Sequence, residues 1–272
     1  MSKITDVIRK YFGKIVGSIK KYDDHHNFTC DICGREVFQN ERVCERCNKD
    51  LPYIGRQRCT LCGRKVKETG VCMECKRKPL SVKKACSVFT HEREAARLII
   101  RFKRGDRFLY RTLAELAEPL LKREFSDCDV ITDVPMTKKA QRKRGYHQTR
   151  LLAEELSRRC GIPFCVTAVK QRETALQKTL GRDAREKNLK GCFYVSDWST
   201  VEGLKILIVD DTLTTGSTVS ELAETLIRAG AKSVSALTIT SVEHKNPFGK
   251  LPDKSNEKER IEEIGIGTKR ST

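Results

Sequence analysis

The stretch that decides the fold runs from Lys205 to Leu226 and reads KILIVDDTLTTGSTVSELAETL. Apolar residues at 206–209 lead directly into two adjacent aspartates, Asp210 and Asp211. A short run of small and hydroxyl residues follows, and helical periodicity begins at Ser217. This order predicts a buried strand with two acidic groups at its carboxyl end, followed by a loop that opens a helix.

The loop at 214–218 has the composition of an anion site. Backbone N–H groups at a helix N-terminus are unpaired, and small residues before them let a phosphate come close. Gly216 permits that approach, and four residues add hydroxyl donors: Thr214, Thr215, Ser217 and Thr218. The loop is not a Walker A loop, because no lysine follows the glycine. A phosphate is the ligand that this composition favours.

The two carboxylates indicate that the ligand carries more than a phosphate. Side by side, they would repel a neighbouring phosphate unless they bind vicinal hydroxyls or a divalent cation. A ribose 5-phosphate satisfies both halves, with its phosphate in the loop and its 2- and 3-hydroxyls on Asp210 and Asp211. The alternative interpretation is a surface turn followed by an ordinary helix cap.

The segments around this unit alternate between strand and helix patterns. Helical periodicity runs through 92–102, 110–121 and 149–161, and strand patterns cover 129–135 and 233–240. Strands that are apolar on both faces and alternate with helices indicate an α/β fold, in which a parallel sheet is flanked by helices.

Eight of the 13 cysteines lie in an internal repeat between residues 30 and 75. The first half opens with CDICGREV and closes with VCERCNK, and the second opens with CTLCGRKV and closes with VCMECKRK. Four thiolates suit tetrahedral Zn²⁺, so the repeat predicts two closed structural zinc sites, with disulfides as the alternative. The ligands are Cys30, Cys33, Cys44 and Cys47, then Cys59, Cys62, Cys72 and Cys75. The duplication favours sequential pairing and leaves an interleaved arrangement open.

The charge balance indicates a polyanionic partner. The chain of 272 residues has 54 Lys and Arg against 36 Asp and Glu, a formal charge of +18. Nucleic acid, phosphorylated substrates and anionic membranes all fit such an excess. One basic cluster, Arg101 to Arg107, could form part of a nucleic-acid path. The run from Lys138 to Arg144 is expected to form a basic loop after the strand at 129–135, and it suits a polyanion or a solvated face.

The two ends of the chain differ from the middle. Residues 1–21 have the periodicity of a basic amphipathic helix, which could lie on a membrane or on its own protein. Residues from 244 are charged and poor in aromatics, which predicts a disordered tail. We therefore divide the chain into helix and linker (1–27), cysteine module (28–79), α/β domain (80–243) and tail (244–272).

The sequence also carries expectations about location. No apolar run reaches the roughly 18–20 residues of a transmembrane helix, and the N-terminus lacks the apolar core of a signal peptide. We expect a cytoplasmic protein without a transmembrane segment, whose thiols are reduced.

Three segments carry a resemblance to known families. ILIVDDTLTTGST at 206–218 resembles the phosphoribosyl-diphosphate (PRPP) signature of type I phosphoribosyltransferases. The segments at 133–156 and 172–193, taken with the cysteine repeat, resemble the ComF family of competence-related proteins, and the match spans about residues 28–242. The sequence departs from the family pattern at two positions, with Asp133 in place of a proline and His147 in place of an asparagine.

The resemblance implies a type I phosphoribosyltransferase-like domain joined to a zinc-ribbon module, with a role in DNA uptake and natural transformation. In that family the acidic pair holds the ribose hydroxyls, and the following loop, here Thr212 and Leu213 through Thr218, holds the 5-phosphate. Mg²⁺ accompanies PRPP. The implied partners are PRPP or a nucleotide that contains ribose 5-phosphate, single-stranded DNA and proteins of the competence machinery.

Further residues gain roles only through the resemblance. It assigns Arg144 to catalysis beside the two aspartates, Gly145 to ligand binding, and Arg185 to a loop over the site. The residues show no nucleobase pocket and no dedicated general base. Two hypotheses therefore stay open: a phosphoribosyltransferase, or a PRPP-sensing protein that binds single-stranded DNA without turnover.

Overall fold

The computed structural model describes residues 28–38, 41–171 and 189–243. The helix predicted at 1–21, the tail predicted from 244 and the candidate Arg185 lie outside the described residues. Among the residues that are described, no helix is long and apolar enough to cross a bilayer.

The described elements include each helix and strand that the sequence predicts within the described residues. The helices are α1 (Glu45–Asp50), α2 (Met73–Arg77), α3 (Arg93–Arg104), α4 (Leu109–Glu124), α5 (Lys138–Arg144), α6 (Gln148–Cys160) and α7 (Ser217–Arg228). The strands are β1 (Ala85–Thr90), β2 (Val130–Asp133), β3 (Val169–Lys170), β4 (Phe193–Tyr194), β5 (Lys205–Leu213) and β6 (Ser233–Ser241). A 3₁₀ turn spans Trp198–Thr200.

Four of the strands form a parallel sheet in the order β1–β6–β5–β2. Strand β5 is central, with Asp210 opposite Thr238 of β6 and Val209 opposite Asp133 of β2. Strands β3 and β4 form a separate antiparallel pair. Because the carboxyl ends of parallel strands meet at one edge, Asp133 and Asp210 share that edge of the sheet.

Helices cover both faces of the sheet, as predicted. Leu207 and Val209 pack in a core with residues of α3, α4 and α6. Ile206 and Ile208 pack in a second core with α7 and with cysteines of the second half of the repeat. Successive side chains of β5 therefore point to opposite faces of the sheet.

The structure differs from the sequence expectations at three places. Strand β5 continues through both aspartates to Leu213, where the sequence indicates that the strand ends at the acid pair. The segment 85–90 forms the edge strand β1, which no pattern in the sequence predicts. The basic segment expected as a loop forms α5, because the Thr137 side chain accepts a hydrogen bond from the N–H of Ala140 and caps the helix.

Candidate functional site

The candidate site begins where β5 presents Asp210 and Asp211 on opposite faces of the sheet. Asp211 points towards α3 and α6 and is buried. Its Oδ1 lies 2.6 Å from Nζ of Lys103, and its Oδ2 accepts a hydrogen bond of 2.6 Å from Nε2 of Gln148. Both carboxylate oxygens of Asp211 therefore have partners within the protein.

Gln148 connects Asp211 to the basic segment of α5. Its Oε1 accepts a hydrogen bond from Nη1 of Arg144, while its Nε2 donates to Asp211. Lys103 makes a second connection, since its Nζ also donates to Oγ1 of Thr212 at 3.3 Å. Lys103 of α3 and Arg144 of α5 thus both reach the carboxyl edge of β5, Lys103 directly and Arg144 through the side-chain amide of Gln148.

Asp210 has a different environment from its neighbour. It is only half-buried, and its Oδ1 accepts a hydrogen bond of 2.8 Å from the N–H of Asp211. Desolvation of the carboxyl and the negative charge of Asp211 raise the pKa of Asp210 to about 7, against the lowering effect of Lys103. Asp210 can therefore change protonation near neutral pH.

The loop at 214–218 opens α7 through a left-handed glycine. Gly216 is the residue before the helix and has φ 81°, a conformation that side chains disfavour. Oγ1 of Thr215 lies 2.8 Å from Oγ of Ser217 and accepts a hydrogen bond of 3.3 Å from the N–H of Ser217. The helix has 12 residues, so its N-terminus presents the donors and dipole of an anion site.

The structure brings most of the sequence-predicted residues to one edge. Residues 210–218 form one strand, loop and helix start. Arg144 reaches them through Gln148, and Gly145 ends α5 in the left-handed region with φ 84°. The side chain of Leu213 is buried in the core, so this residue can offer a ligand only its backbone.

Asp133 and His147, the two departures from the family pattern, lie in contact. Oδ2 of Asp133 is 3.1 Å from Nε2 of His147 and 3.6 Å from Nε of Arg150, and both the aspartate and the histidine are buried. Burial raises the pKa of Asp133. Burial, followed by the charge of Arg150, lowers the pKa of His147 to about 4. The two departures therefore form one buried pair beside the candidate site.

Sequence reasoning misses three residues that the structure connects to the site. Lys103 belongs to a basic cluster whose composition points only to nucleic acid. Gln148 lies in the segment 133–156, whose resemblance to the family assigns this residue no role. Arg64 lies in the cysteine repeat, and its Nη2 donates a hydrogen bond to the carbonyl oxygen of Thr214. No local signal predicts these contacts, because they join segments far apart in the chain.

The eight paired cysteines form two groups that fit zinc. Within each group the Sγ atoms all lie within 4.8 Å of one another. Sγ of Cys33 is 3.8 Å from that of Cys44, and Sγ of Cys62 is 3.8 Å from that of Cys72. A Zn–S bond of about 2.3 Å in a tetrahedron places its sulfurs about 3.8 Å apart. Four thiolates leave no open position, so these are structural sites, and the pairing is sequential.

Comparison with protein families agrees with both parts of the structure. The family model "Double zinc ribbon domain" matches residues 27–76, and "Phosphoribosyl transferase domain" matches residues 148–269. With its parallel sheet and two Cys₄ groups, the chain is a double zinc ribbon joined to a domain of the phosphoribosyltransferase class.

Curated relatives define the family more closely. The chain is 29% identical to Competence protein ComFC of Bacillus subtilis over 78% of this chain and 90% of that protein. It is 31% identical to DNA utilization protein YhgH of Salmonella typhimurium over 75% of this chain and 86% of that protein. The chain belongs to the ComF family, which these two proteins represent.

Solved structures match over a shorter range. A glutamine PRPP amidotransferase from B. subtilis, complexed with ADP and GMP, is 22% identical over 47% of this chain and 26% of that one, with a TM-score of 0.34.

Proposed function

We propose that this protein binds PRPP at the carboxyl edge of its parallel sheet. Asp210 and Asp211 hold the ribose hydroxyls, and the loop at 214–218 holds the 5-phosphate. The observation that carries the proposal is that one strand–loop–helix unit presents a half-buried carboxyl and, a few residues on, a left-handed glycine at a helix N-terminus. A carboxyl for the hydroxyls and a helix N-terminus for the phosphate are the two groups that a ribose 5-phosphate needs.

The diphosphate of PRPP is held by cations in this proposal. Arg144 and Gly145 at the end of α5 face its negative charge, and Lys103 adds a second positive group beside Asp211. Mg²⁺ requires oxygen ligands and usually takes one or two carboxylates together with substrate phosphates. Asp210 fits this donor set better than Asp211, whose two oxygens have partners in the protein. The ion would neutralise charge on the departing diphosphate.

The biological role in this proposal is in DNA uptake or utilisation, as the names of the relatives express. The strongly basic chain is compatible with such a role, because a positive surface attracts a polyanion. The proposed ligand and the proposed role are separate claims and need separate tests.

Release of diphosphate from PRPP tests the enzymatic form of the proposal. The purified protein is incubated with PRPP, Mg²⁺ and a panel of nucleobases and amines. Diphosphate release that depends on one acceptor, and is lost in Asp210→Asn, supports a phosphoribosyltransferase. Binding of PRPP without turnover for any acceptor supports the second candidate instead.

The second candidate is a PRPP-sensing protein that binds single-stranded DNA without catalysis. The specific observation in its favour is α5, in which five of seven residues are basic and none is buried. Contacts to phosphates release counterions, so DNA binding should weaken steeply with salt. Binding that is absent, or that does not change with salt, would leave only the small-molecule role.

A further inference from the structure

We infer that Arg64 is a positioning residue for the loop at 214–218, so that the second zinc centre supports the ligand site and the first does not. The inference rests on the PRPP binding proposed above. It gives different roles to the two halves of the cysteine repeat, although their sequences are similar.

Arg64 reaches from the zinc module to the candidate phosphate loop. It lies two residues after Cys62, and its Nη2 donates to the carbonyl oxygen of Thr214, 150 positions further along the chain. The residue is buried, with 4% of its surface exposed. A hydrogen bond from a charged donor is stronger than a neutral one, and burial shields it from water. The contact therefore fixes the first residue of the loop.

The turn that carries Arg64 is itself fixed on the sheet. Gly63 has φ 67°, and a Cβ added there would lie 2.5 Å from both the carbonyl oxygen of Ala85 and Cα of Cys86. The N–H of Ala85 also donates to the carbonyl oxygen of Leu61 at 2.9 Å. Only a glycine allows the backbone of the ribbon to lie directly on β1. The second centre thus holds Arg64 in a defined position against β1.

The segment after the second centre makes a further contact with the loop. A Cβ added at Gly216 would lie 2.3 Å from Cδ2 of Leu80, so Leu80 packs directly against the glycine. The N–H of Ser81 donates to Oγ of Ser220, and Oγ of Ser81 donates to Glu224, at 3.2 and 2.7 Å. The loop is therefore held from the cysteine module at its start and from the following segment at its end.

The first half of the repeat repeats the CGR turn without these contacts. Arg35, the counterpart of Arg64, is exposed. A Cβ added at Gly34, the counterpart of Gly63, has no heavy atom within 4 Å. Cys30 belongs to a small separate core with Val37 and Val43. The duplication thus supplies matched controls for changes at Gly63 and Arg64.

The test compares Arg64→Ala with Arg35→Ala and uses two readouts. We expect Arg64→Ala to accelerate amide hydrogen exchange at 213–219 and to weaken PRPP binding about tenfold, as expected for the loss of a charge-assisted hydrogen bond. Arg35→Ala should change neither quantity. Both variants should retain the metal content of the wild type, which separates loss of the contact from loss of the ribbon. Arg64→Lys retains a charged donor and should recover part of the affinity.

Each outcome decides the inference. Unchanged exchange at 213–219 or unchanged PRPP affinity in Arg64→Ala, or an equal change in Arg35→Ala, would overturn it. If Arg64→Ala does not fold, exchange in Arg64→Lys decides, because a shortened contact should still loosen the loop. If the wild type does not bind PRPP, the proposed function fails, whereas the exchange comparison still tests the role of Arg64.

Discussion

At the scale of single residues, the two adjacent aspartates of β5 have separate tasks. Asp211 is buried, and both its oxygens contact Lys103 and Gln148. Asp210 is half-buried and has a raised pKa. Strand geometry explains the difference, because consecutive side chains point to opposite faces. We expect Asp210 to make the stronger contact with the ribose hydroxyls, because the oxygens of Asp211 already interact with Lys103 and Gln148, which also fix the charge of the site.

The pH dependence of PRPP affinity follows from this difference. With the pKa of Asp210 at about 7, the ionised acceptor is lost as pH falls, so affinity should rise about tenfold from about pH 6 to 8. Asp211→Asn removes the neighbouring negative charge and should move the midpoint to lower pH. Titrations at several pH values measure this, and Asp210→Asn provides the control for protonation of the ligand itself. If the pH midpoint of PRPP affinity is the same in wild type and Asp211→Asn, the charge of Asp211 does not raise the pKa of Asp210, which would contradict this account.

The buried pair of Asp133 and His147 makes a prediction about stability. The pKa of His147 is about 4 when folded, below its usual value, so its contribution to the free energy of unfolding is present near neutral pH and is lost as pH falls towards 4. His147→Asn should remove an acid-side loss on the order of 3 kcal/mol. Burial raises the pKa of Asp133, so its contribution to the free energy of unfolding changes with pH in the opposite direction. The contribution of the histidine is therefore obtained from the difference between wild type and His147→Asn. The free energy of unfolding of each protein is measured by urea unfolding at several pH values. The same pH dependence in wild type and His147→Asn would refute the assignment.

At the scale of elements, the start of α7 depends on Gly216. Alanine there must adopt a left-handed backbone, at about 1–2 kcal/mol, and must displace Leu80, at about 1–3 kcal/mol more. The matched control is Gly161→Ala at the end of α6, where φ is 71° and a Cβ meets no heavy atom within 4 Å. We expect only Gly216→Ala to weaken PRPP binding. Equal losses of stability and affinity in both variants would show that the contact with Leu80 is unimportant.

The elements also show how far the sequence predicts the fold. The apolar run of β5, the periodicity of α3, α4, α6 and α7, and the alternation of strands and helices specify a parallel sheet covered on both faces, which the structure confirms. The edge strand β1 escapes prediction because ACSVFT mixes polar and apolar residues without a clear period. Helix α5 is not predicted because the sequence pattern of the segment is mainly one of positive charge, whereas in the structure the cap at Thr137 stabilises a helix.

Only part of the candidate site can be predicted from the sequence. Asp210, Asp211 and the loop are consecutive in the chain, so their pattern is local. Lys103, Gln148 and Arg64 reach the same edge from other segments, and their roles depend on long-range packing that no local pattern records. The sequential pairing of the cysteines likewise becomes certain only once the sulfur positions are given.

At the scale of the whole molecule, the cysteine repeat forms two independent metal centres. We expect two zinc ions per chain by metal analysis and native mass spectrometry. Cys33→Ser and Cys62→Ser should each lose one ion, because the two groups share no ligand. Loss of both ions from either single change would indicate shared coordination. Intact disulfides in a metal-free protein would contradict the zinc assignment altogether.

Calorimetric titration of PRPP with Mg²⁺ tests the central claim most directly. We predict one PRPP bound per wild-type chain, and binding weakened about tenfold or more by Asp210→Asn, since a ligand hydroxyl loses a charged acceptor. The control is Asp127→Asn, which changes an exposed carboxylate paired with Lys205 at the opposite end of β5 and should bind like the wild type. No binding by the wild type, or the same affinity in Asp210→Asn with its fold intact, would contradict the account.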